Sequence, residues 1–267
     1  MRAAARTGER LDSWLVSKGL VESREKAQGL VLAGCVRVDG ALVTKCGTRV
    51  RPDAEVEVRA TAGPVGRGAL KLEAALDAFA IDVEARVAVD VGASTGGFTE
   101  VLLARGAARV YAVDVGYGQL HERLRSDPRV VSRERVNARR LGPEVVPEPC
   151  GVGTMDVSFI SALKLLPALA SVLAPGADVA LLVKPQFEVG RFEVGRGGIV
   201  VDPALHRRAL LGVAAGALDA GYAVLGACPS PITGAEGNRE FFLHLRKGGP
   251  GLEAPALEEA VTRVVEP

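Results

Sequence analysis

The spacing of hydrophobic and polar positions changes near residue 69, and this change predicts two domains. Before it, apolar residues recur at helical intervals in two short segments within residues 9–33, which indicates two short helices. Asp39-Gly40 then separates two apolar runs, and this dipeptide is typical of a tight β-hairpin because both turn residues must tolerate positive φ. A third strand is predicted at Glu55–Val58. The first domain is therefore expected to be a small α+β unit.

After residue 69 apolar runs alternate with helical segments, which predicts a doubly wound, parallel, Rossmann-like α/β sheet. The predicted strands lie at 87–91, 110–114, 130–132, 152–158 and 178–183. The predicted helices are an amphipathic one carrying Leu72, Leu76 and Phe79, and segments near 97–105, 118–126, 160–173 and 203–220. No helix separates the last two runs, near 222–226 and 241–245, so we expect an antiparallel terminal strand. Ligands of such a sheet bind beyond the carboxyl ends of its strands.

A stretch rich in glycine and proline, without periodicity, marks the junction between the domains. The predicted organisation is an N-terminal domain at 1–60, a linker at 61–68, a second domain at 69–247 and a tail at 248–267. Leu257, Val261 and Val264 in the tail have helical spacing, and either a short amphipathic helix or no regular structure is expected there.

Composition changes this picture little, since 48% hydrophobic and 24% charged residues are typical of a soluble globular protein. The net charge is +1, and residues 1–60 hold 11 Lys and Arg against 8 Asp and Glu, a mild excess compatible with RNA binding. No apolar run approaches the ~18 residues of a membrane span, and no signal peptide is recognised, so we expect a cytoplasmic protein without membrane contact. The sequence carries no signal for an oligomeric state. The cysteines lie too far apart for a ligand motif, so no metal site is expected; they are Cys35, Cys46, Cys150 and Cys228.

A glycine-rich turn, Asp90–Thr99, follows the first strand of the second domain, and the next strand ends in Asp114. Gly92, Gly96 and Gly97 let the backbone pass close to a ligand, and a carboxylate at Asp114 can accept both hydroxyls of a ribose. NAD and S-adenosylmethionine would both fit this arrangement. The spacing differs from GxGxxG, and an acid stands just ahead of the loop as in methyltransferases, so S-adenosylmethionine is favoured. None of the three histidines falls in an obvious catalytic motif, which disfavours redox chemistry.

Four charged residues lie at or near predicted buried positions: Lys71, Asp156, Lys184 and Glu240. Burying an unpaired charge costs several kcal/mol, so charges at buried strand ends need partners or a function. Taken singly, each of the four is more simply explained as a surface residue at the end of an element. Their combination has a second explanation, which the order of motifs along the chain provides.

The first domain resembles the RNA-binding S4 domain in the order of its residues. The resemblance rests on Arg10-Leu-Asp-x-x-Leu15, Gly19-Leu-x-x-Ser-Arg24, Ala27 and Gly34-x-Val-x-Val-x-Gly40. In that family the paired helices and the adjoining strand bind structured RNA through its backbone and shape. The resemblance implies RNA contacts at Arg10, Arg24 and Lys26.

The second domain adds motifs that together resemble the TlyA family, in which an S4 domain is joined to an FtsJ-like 2′-O-methyltransferase. They are Arg67-Gly-Ala-Leu-Lys71, Asp90–Thr99, Val113–Leu120, Asn137-Ala-Arg139, Asp156–Ser161, Lys184–Gly190, Gly197–Val200 and Gly237–Phe241. The resemblance implies S-adenosylmethionine-dependent 2′-O-methylation of ribosomal RNA, at cytidines of the small subunit, the large subunit or both. The chain departs from the family at Gly66, where serine is usual, and at Val136, where threonine is usual.

The same resemblance implies roles for the site residues. The family's Lys-Asp-Lys-Glu set falls on Lys71, Asp156, Lys184 and Glu240. Lys184 would be the base or orienter of the ribose hydroxyl, Lys71 would assist it, Asp156 would align Lys184, and Glu240 would fix the geometry of the nucleophile. Cofactor contacts are expected at Asp90, Gly92, Ser94, Gly96, Gly97, Phe98, Asp114, Asn137 and Asp156. Two other functions are compatible with the motifs: an RNA-binding ribosome-assembly protein with a non-catalytic fold, and the haemolysin of the family's older label.

The pentapeptide Phe-Glu-Val-Gly-Arg occurs twice in tandem between Phe187 and Arg196. Two pentapeptides are too short to define a repeat architecture. The glycines of this stretch predict a flap over the site instead. Arg191 and Arg196, together with Arg67 ahead of the first catalytic lysine, are expected to meet RNA phosphates.

Overall fold

The computed structural model describes residues 8–21, 23–32, 35–58, 66–190 and 192–266, without the side chains of Glu25, Lys26 and Leu32. Two of the sequence predictions, RNA contacts at Lys26 and at Arg191, therefore concern side chains outside the described residues. The N-terminal helices are α1, Leu11–Ser17, and α2, Arg24–Leu32. Their apolar positions form one small core with the strands that follow: Leu11, Trp14, Leu15, Ala27, Val31, Val36 and Val50.

Five short strands accompany these helices: β1 Glu9–Arg10, β2 Val36–Val38, β3 Ala41–Leu42, β4 Arg49–Val50 and β5 Val56–Val58. The order β3-β2-β5 makes one antiparallel sheet, and β1 pairs with β4. Asp39 and Gly40 have φ values of 50° and 77°, so the predicted hairpin turn is confirmed. The β1–β4 pair escaped prediction because strands of two residues show no alternation.

The second domain is built on a seven-stranded sheet of order β11-β12-β10-β9-β6-β7-β8. Its strands are β6 Val87–Val91, β7 Arg109–Val113, β8 Val130–Arg133, β9 Cys150–Met155, β10 Leu173–Val183, β11 Tyr222–Pro229 and β12 Phe241–Lys247. Strands β6 to β10 run parallel to their neighbours among themselves, whereas β12 is antiparallel to both β10 and β11. The predicted doubly wound sheet with an antiparallel terminal strand is thus confirmed.

Helices cover both faces of this sheet, as its continuous apolar strands require. They are α3 Gly68–Phe79, α4 Gly97–Ala104, α5 Glu122–Arg125, α6 Leu166–Val172, α7 Pro185–Glu188, α8 Pro203–Asp219 and α9 Ala254–Val265, with 3₁₀ turns at Ala138–Arg140, Ala162–Lys164 and Arg196–Gly198. One core lies between the sheet and α3, α4 and α5, and the other between the sheet and α6, α8 and α9. Among the described residues, no helix has the length and apolar content needed to cross a membrane.

Two predicted boundaries were wrong near the carboxyl end of the sheet, and in the tail, where a helix was one of two expectations, one predicted apolar position lies beside the buried face. The strand predicted to continue to residue 158 ends at Met155, so Asp156 follows the strand instead of lying within it. The helix predicted over 160–173 is a 3₁₀ turn followed by α6, which has a proline in its first turn. In the tail, α9 buries Val265 in the last turn and leaves Val264 only partly buried.

Candidate functional site

The glycine-rich loop between β6 and α4 is shaped by contacts within the protein. Gly92 has φ 86°, and a Cβ atom there would lie 2.1 Å from the carbonyl oxygen of Asp156. Gly96 has φ 100°, and its Cβ would lie 2.2 Å from Cδ1 of Leu124. Gly92 therefore requires glycine because the loop packs on a backbone carbonyl, and Gly96 is favoured as glycine by its positive φ, since the Leu124 side chain can move. A Cβ on Gly97 would lie 3.0 Å from the backbone nitrogen of Ala69, at the start of α3.

Asp114 connects this loop to the end of β7. Its carboxylate accepts hydrogen bonds from the backbone N–H groups of Ser94, at 2.8 Å, and Gly116, at 2.6 Å. Ionised carboxylates offer about four lone-pair positions, so two remain for a ligand. Asn137 caps the following 3₁₀ turn through its side-chain oxygen, which accepts from Arg139 N–H at 3.0 Å. Ser94, Asp114 and Asn137 all line one cavity of about 900 Å³.

Asp90 lies below the loop and does not line this cavity. Its fully buried carboxylate accepts hydrogen bonds from the hydroxyls of Thr99, at 2.7 Å, and Thr154, at 2.9 Å. Burial raises the pKa of Asp90 to about 7, against the opposing effect of those two hydrogen bonds. Phe98 is also buried, stacks on Phe242 and lines a smaller adjoining cavity. Direct contact between Asp90 and a cofactor stays a prediction.

The four charged residues singled out by the sequence form two ion pairs that line the 900 Å³ cavity. Lys71 Nζ lies 2.5 Å from Glu240 Oε2, and the two residues are only 8% and 4% exposed. Lys184 Nζ lies 2.5 Å from Asp156 Oδ1 and donates a hydrogen bond of 2.9 Å to Ser158 Oγ. The structure therefore gives each lysine its own carboxylate: the contact of Asp156 with Lys184 was expected from the resemblance, whereas that of Glu240 with Lys71 was not.

The residues just before β12 form hydrogen bonds to other parts of the second domain, next to the site. Asn238 donates to the carbonyl of Gly198 and accepts from the N–H of Val200, both at 2.9 Å. His206, on α8, donates its Nε2–H to the carbonyl of Val200 at 2.9 Å. Arg239 donates to the last carbonyls of α9. The chain that follows the tandem pentapeptides is thus joined to the domain through Val200 and Asn238, beside Glu240.

The N-terminal arginines are organised around Asp12, a residue that sequence reasoning missed. Arg10 makes two hydrogen bonds of 3.0 Å to the Asp12 carboxylate, and Arg24 and Gln28 donate to the same oxygen at 3.0 and 2.9 Å. The bonds from Arg10, above all, hold the pKa of Asp12 well below its ordinary value. Half of each arginine side chain stays exposed, so both can still face RNA.

The remaining predicted RNA contacts are spread around the cavities. Arg67 lines the smaller cavity and donates to the carbonyl of Thr233 at 3.1 Å, and Arg196 is exposed on the flap. The N-terminal domain also contributes residues 44–46 to the wall of the 900 Å³ cavity, which the sequence did not predict. Phe159, at the mouth, is 92% exposed, has φ 65° and contacts Phe187 with 5.4 Å between ring centroids. The exposure and the left-handed backbone of this residue are visible only in the structure, so the sequence held no signal for it.

Comparisons with known proteins match both parts of the chain. Residues 64–247 match the FtsJ-like methyltransferase family, and residues 9–56 match the S4 domain. The chain is 49% identical to the 16S/23S rRNA (cytidine-2′-O)-methyltransferase TlyA of Mycobacterium tuberculosis, over 96% of this chain and 97% of that protein. It is 42% identical to Hemolysin A of Brachyspira hyodysenteriae, over 88% and 98% of the two chains. A solved structure from Streptococcus thermophilus that carries a hemolysin name is 43% identical, with a TM-score of 0.74 and coverage of 97% and 96%.

Proposed function

The chain belongs to the TlyA family of FtsJ-like methyltransferases with an S4 domain, and from this premise we propose that it transfers a methyl group from S-adenosylmethionine to the 2′-hydroxyl of a cytidine in ribosomal RNA. One observation carries the proposal: the pairs Lys71–Glu240 and Lys184–Asp156 line a single cavity at the carboxyl end of the parallel strands. That edge is where doubly wound sheets bind their ligands.

The residues of the cavity fit the cofactor. Asp114 has two lone-pair positions left for ribose hydroxyls, and Ser94 and Asn137 offer polar groups on the same wall. Glycine at position 92 lets the backbone of the loop lie against the Asp156 carbonyl, because a Cβ atom there would clash with that oxygen. When bound, S-adenosylmethionine supplies an electrophilic methyl group. We propose that Asp114 and Asn137 contact the nucleoside of the cofactor and that the loop around Ser94 contacts the rest of it.

The lysines are assigned to the ribose. A 2′-hydroxyl is a poor nucleophile until its proton is accepted or held by a neighbouring group. Lys184 is held between Asp156 and Ser158, so its ammonium or amine is oriented before the RNA arrives. Lys71, fixed by Glu240, provides a second donor on the same cavity wall. In this proposal catalysis is mainly placement of the hydroxyl against the methyl donor in a pocket with little water.

The RNA is assigned to the surface around the cavity mouth. Arg10 and Arg24 present exposed guanidinium groups on the S4 domain, and residues 44–46 bring that domain to the cavity rim. Phe159 offers a flat apolar face at the mouth, and unstacked RNA bases commonly rest on such rings. These positions support a target nucleotide drawn out of its helix toward Lys184.

The test is transfer of tritiated methyl groups from S-adenosylmethionine to each isolated ribosomal subunit, followed by mapping of the labelled ribose. We expect label on a cytidine 2′-oxygen of at least one subunit. Calorimetric titration with S-adenosylmethionine accompanies the assay. Binding of the cofactor without transfer to either subunit would contradict the proposal and favour a ribosome-assembly role.

A further inference from the structure

Asp156 and Lys184 follow neighbouring strands, β9 and β10, and the segments that carry them are connected by more than the ion pair. Lys184 donates to Ser158, and the ring of Phe187 contacts that of Phe159. A third connection lies at the far end of both segments. There Glu188 accepts hydrogen bonds from Ser161 Oγ at 2.6 Å and from Ala162 N–H at 2.8 Å.

Glu188 differs in its surroundings from Asp156 and Glu240, the two carboxylates that pair with lysines. Among the described residues it has no cation within ion-pair distance, and its two partners are neutral donors. Burial raises the pKa of Glu188, because the charged form loses hydration that two neutral donors only partly replace. Both hydrogen bonds of this half-buried carboxylate go to the segment that follows Asp156.

The short helix α7 relates Glu188 rigidly to Lys184. Pro185 occupies the first turn, Phe187 N–H donates to the Lys184 carbonyl at 2.9 Å, and Val189 N–H donates to the Pro185 carbonyl at 3.0 Å. Because this helix is a single turn, Glu188 is only four positions from Lys184, and a displacement of Glu188 also displaces Lys184. On the other side, Ser161 and Ala162 begin the 3₁₀ turn that ends the Asp156–Ile160 segment.

From these contacts we infer that Glu188 is a positioning residue, which holds the segment of Lys184 against the segment of Asp156 and so fixes the lysine that faces the ribose. This inference rests on the proposed function. Glu188 acts through Ser161 and Ala162 and does not line the 900 Å³ cavity. A misplacement of about 1 Å at a reacting group can cost on the order of 100-fold in rate, so a contact outside the cavity can control turnover.

The test compares Glu188→Ala with Glu193→Ala. Glu193 is a control from the same region: it accepts a backbone N–H from Gly190 at 2.8 Å and pairs with Arg208 on α8, and these partners lie outside the Asp156 segment. For Glu188→Ala we expect kcat to fall about 10- to 100-fold, while KM for ribosomal subunits and the affinity for S-adenosylmethionine change by less than about threefold. Glu193→Ala should keep kcat within about threefold of the parent chain.

A double-mutant cycle with Ser161→Ala separates this role from a general loss of packing. Because Ser161 and Glu188 act as one contact, the double variant should be little slower than Glu188→Ala alone. Additive losses would overturn the inference. Glu188→Gln retains the shape of the side chain but places an NH₂ group toward a donor. Its kcat should therefore lie between that of the parent chain and that of the alanine variant.

Hydrogen exchange gives a readout that does not depend on methyl transfer. Glu188→Ala should speed amide exchange in residues 157–164 and 185–189, whereas Glu193→Ala should leave residues 157–164 unchanged. Unchanged exchange in residues 157–164 of Glu188→Ala would overturn the inference whatever the activity. If the parent chain itself transfers no methyl group, the proposed function is refuted. Faster exchange in residues 157–164 of Glu188→Ala would in that case still establish the contact.

Discussion

Lys71 and Glu240 lie 169 positions apart in the chain and form a buried ion pair with 2.5 Å between Nζ and Oε2. The pair joins α3, the first helix of the second domain, to β12, the last strand of its sheet. Each charge is tolerated in its buried position because the other is present. The same contact therefore contributes both to the stability of the domain and to the geometry of the site.

Glu240→Ala should lower the free energy of unfolding by about 3–5 kcal/mol, because it leaves the Lys71 ammonium buried without its partner. The double change Lys71→Met with Glu240→Leu should regain most of that loss but should not regain methyl transfer. Urea unfolding and the tritium assay measure the two effects. A double variant as unstable as the single one would show that the unpaired charge is not the cause.

Lys184→Ala should abolish methyl transfer and change the affinity for S-adenosylmethionine by no more than about twofold, because the lysine is assigned to the ribose. Lys164→Ala is the matched control, since Lys164 is an exposed lysine in the nearby 3₁₀ turn and does not line the cavity. Single-turnover transfer and calorimetry separate chemistry from binding. Retained turnover in Lys184→Ala would refute the assignment of this lysine.

The periodicity of the chain was sufficient to predict the sheet and the ends of strands β7 and β10 to within one residue. Strand and helix alternate with different spacings, and Asp114 and Lys184 stand where apolar runs stop. The boundary at Asp156 was less accurate because Val157, Phe159 and Ile160 continue the apolar run after the backbone has left the sheet. Hydrophobic pattern alone does not distinguish a strand from an apolar loop packed at its end.

Apart from Asp156 and Lys184, whose contact the resemblance implied, side-chain partners were not predicted, because they come from segments far apart in the chain. The pattern placed Arg10 and Arg24 on a basic surface but gave no sign that both bind Asp12. It likewise gave no sign that Glu188 reaches Ser161, since a Glu in a polar loop is typical of solvent exposure. Such contacts depend on tertiary structure, and the sequence shows only the residue types that could make them.

Asp12→Asn should destabilise the N-terminal domain near neutral pH, with a loss of several degrees in the Tm of that domain, because Arg10 and Arg24 lose a charged acceptor. The folded-state pKa of Asp12 is lowered, so its contribution is complete above the unfolded value of about 4 and is lost as pH falls toward the folded value. The difference in Tm between the parent chain and the variant should therefore become smaller only below about pH 4. Thermal unfolding from pH 7 to pH 3 measures it, and a gap that closes already between pH 7 and pH 5 would contradict the assignment.

Arg239 connects the tail helix to the site. Its guanidinium donates to the carbonyls of Val265, at 2.8 Å, and Val264, at 3.2 Å, where a cation is favourable at the end of a helix, and it also lies over the ring of Phe241. Since Glu240 stands between Arg239 and Phe241 in the chain, loss of this anchor should loosen the carboxylate that holds Lys71.

We therefore expect Arg239→Ala to reduce kcat by about 3- to 10-fold and to cost about 1–2 kcal/mol of stability, with cofactor affinity unchanged. Arg263→Ala is the control, because Arg263 also lies near the end of α9 but, in the part of the chain that the structure describes, its ion pair is with the exposed Glu259. If the two variants lose the same amount of activity, or if Arg239→Ala keeps full turnover, α9 serves only to cover the sheet. A loss confined to Arg239→Ala would instead make the tail part of the framework that places Glu240.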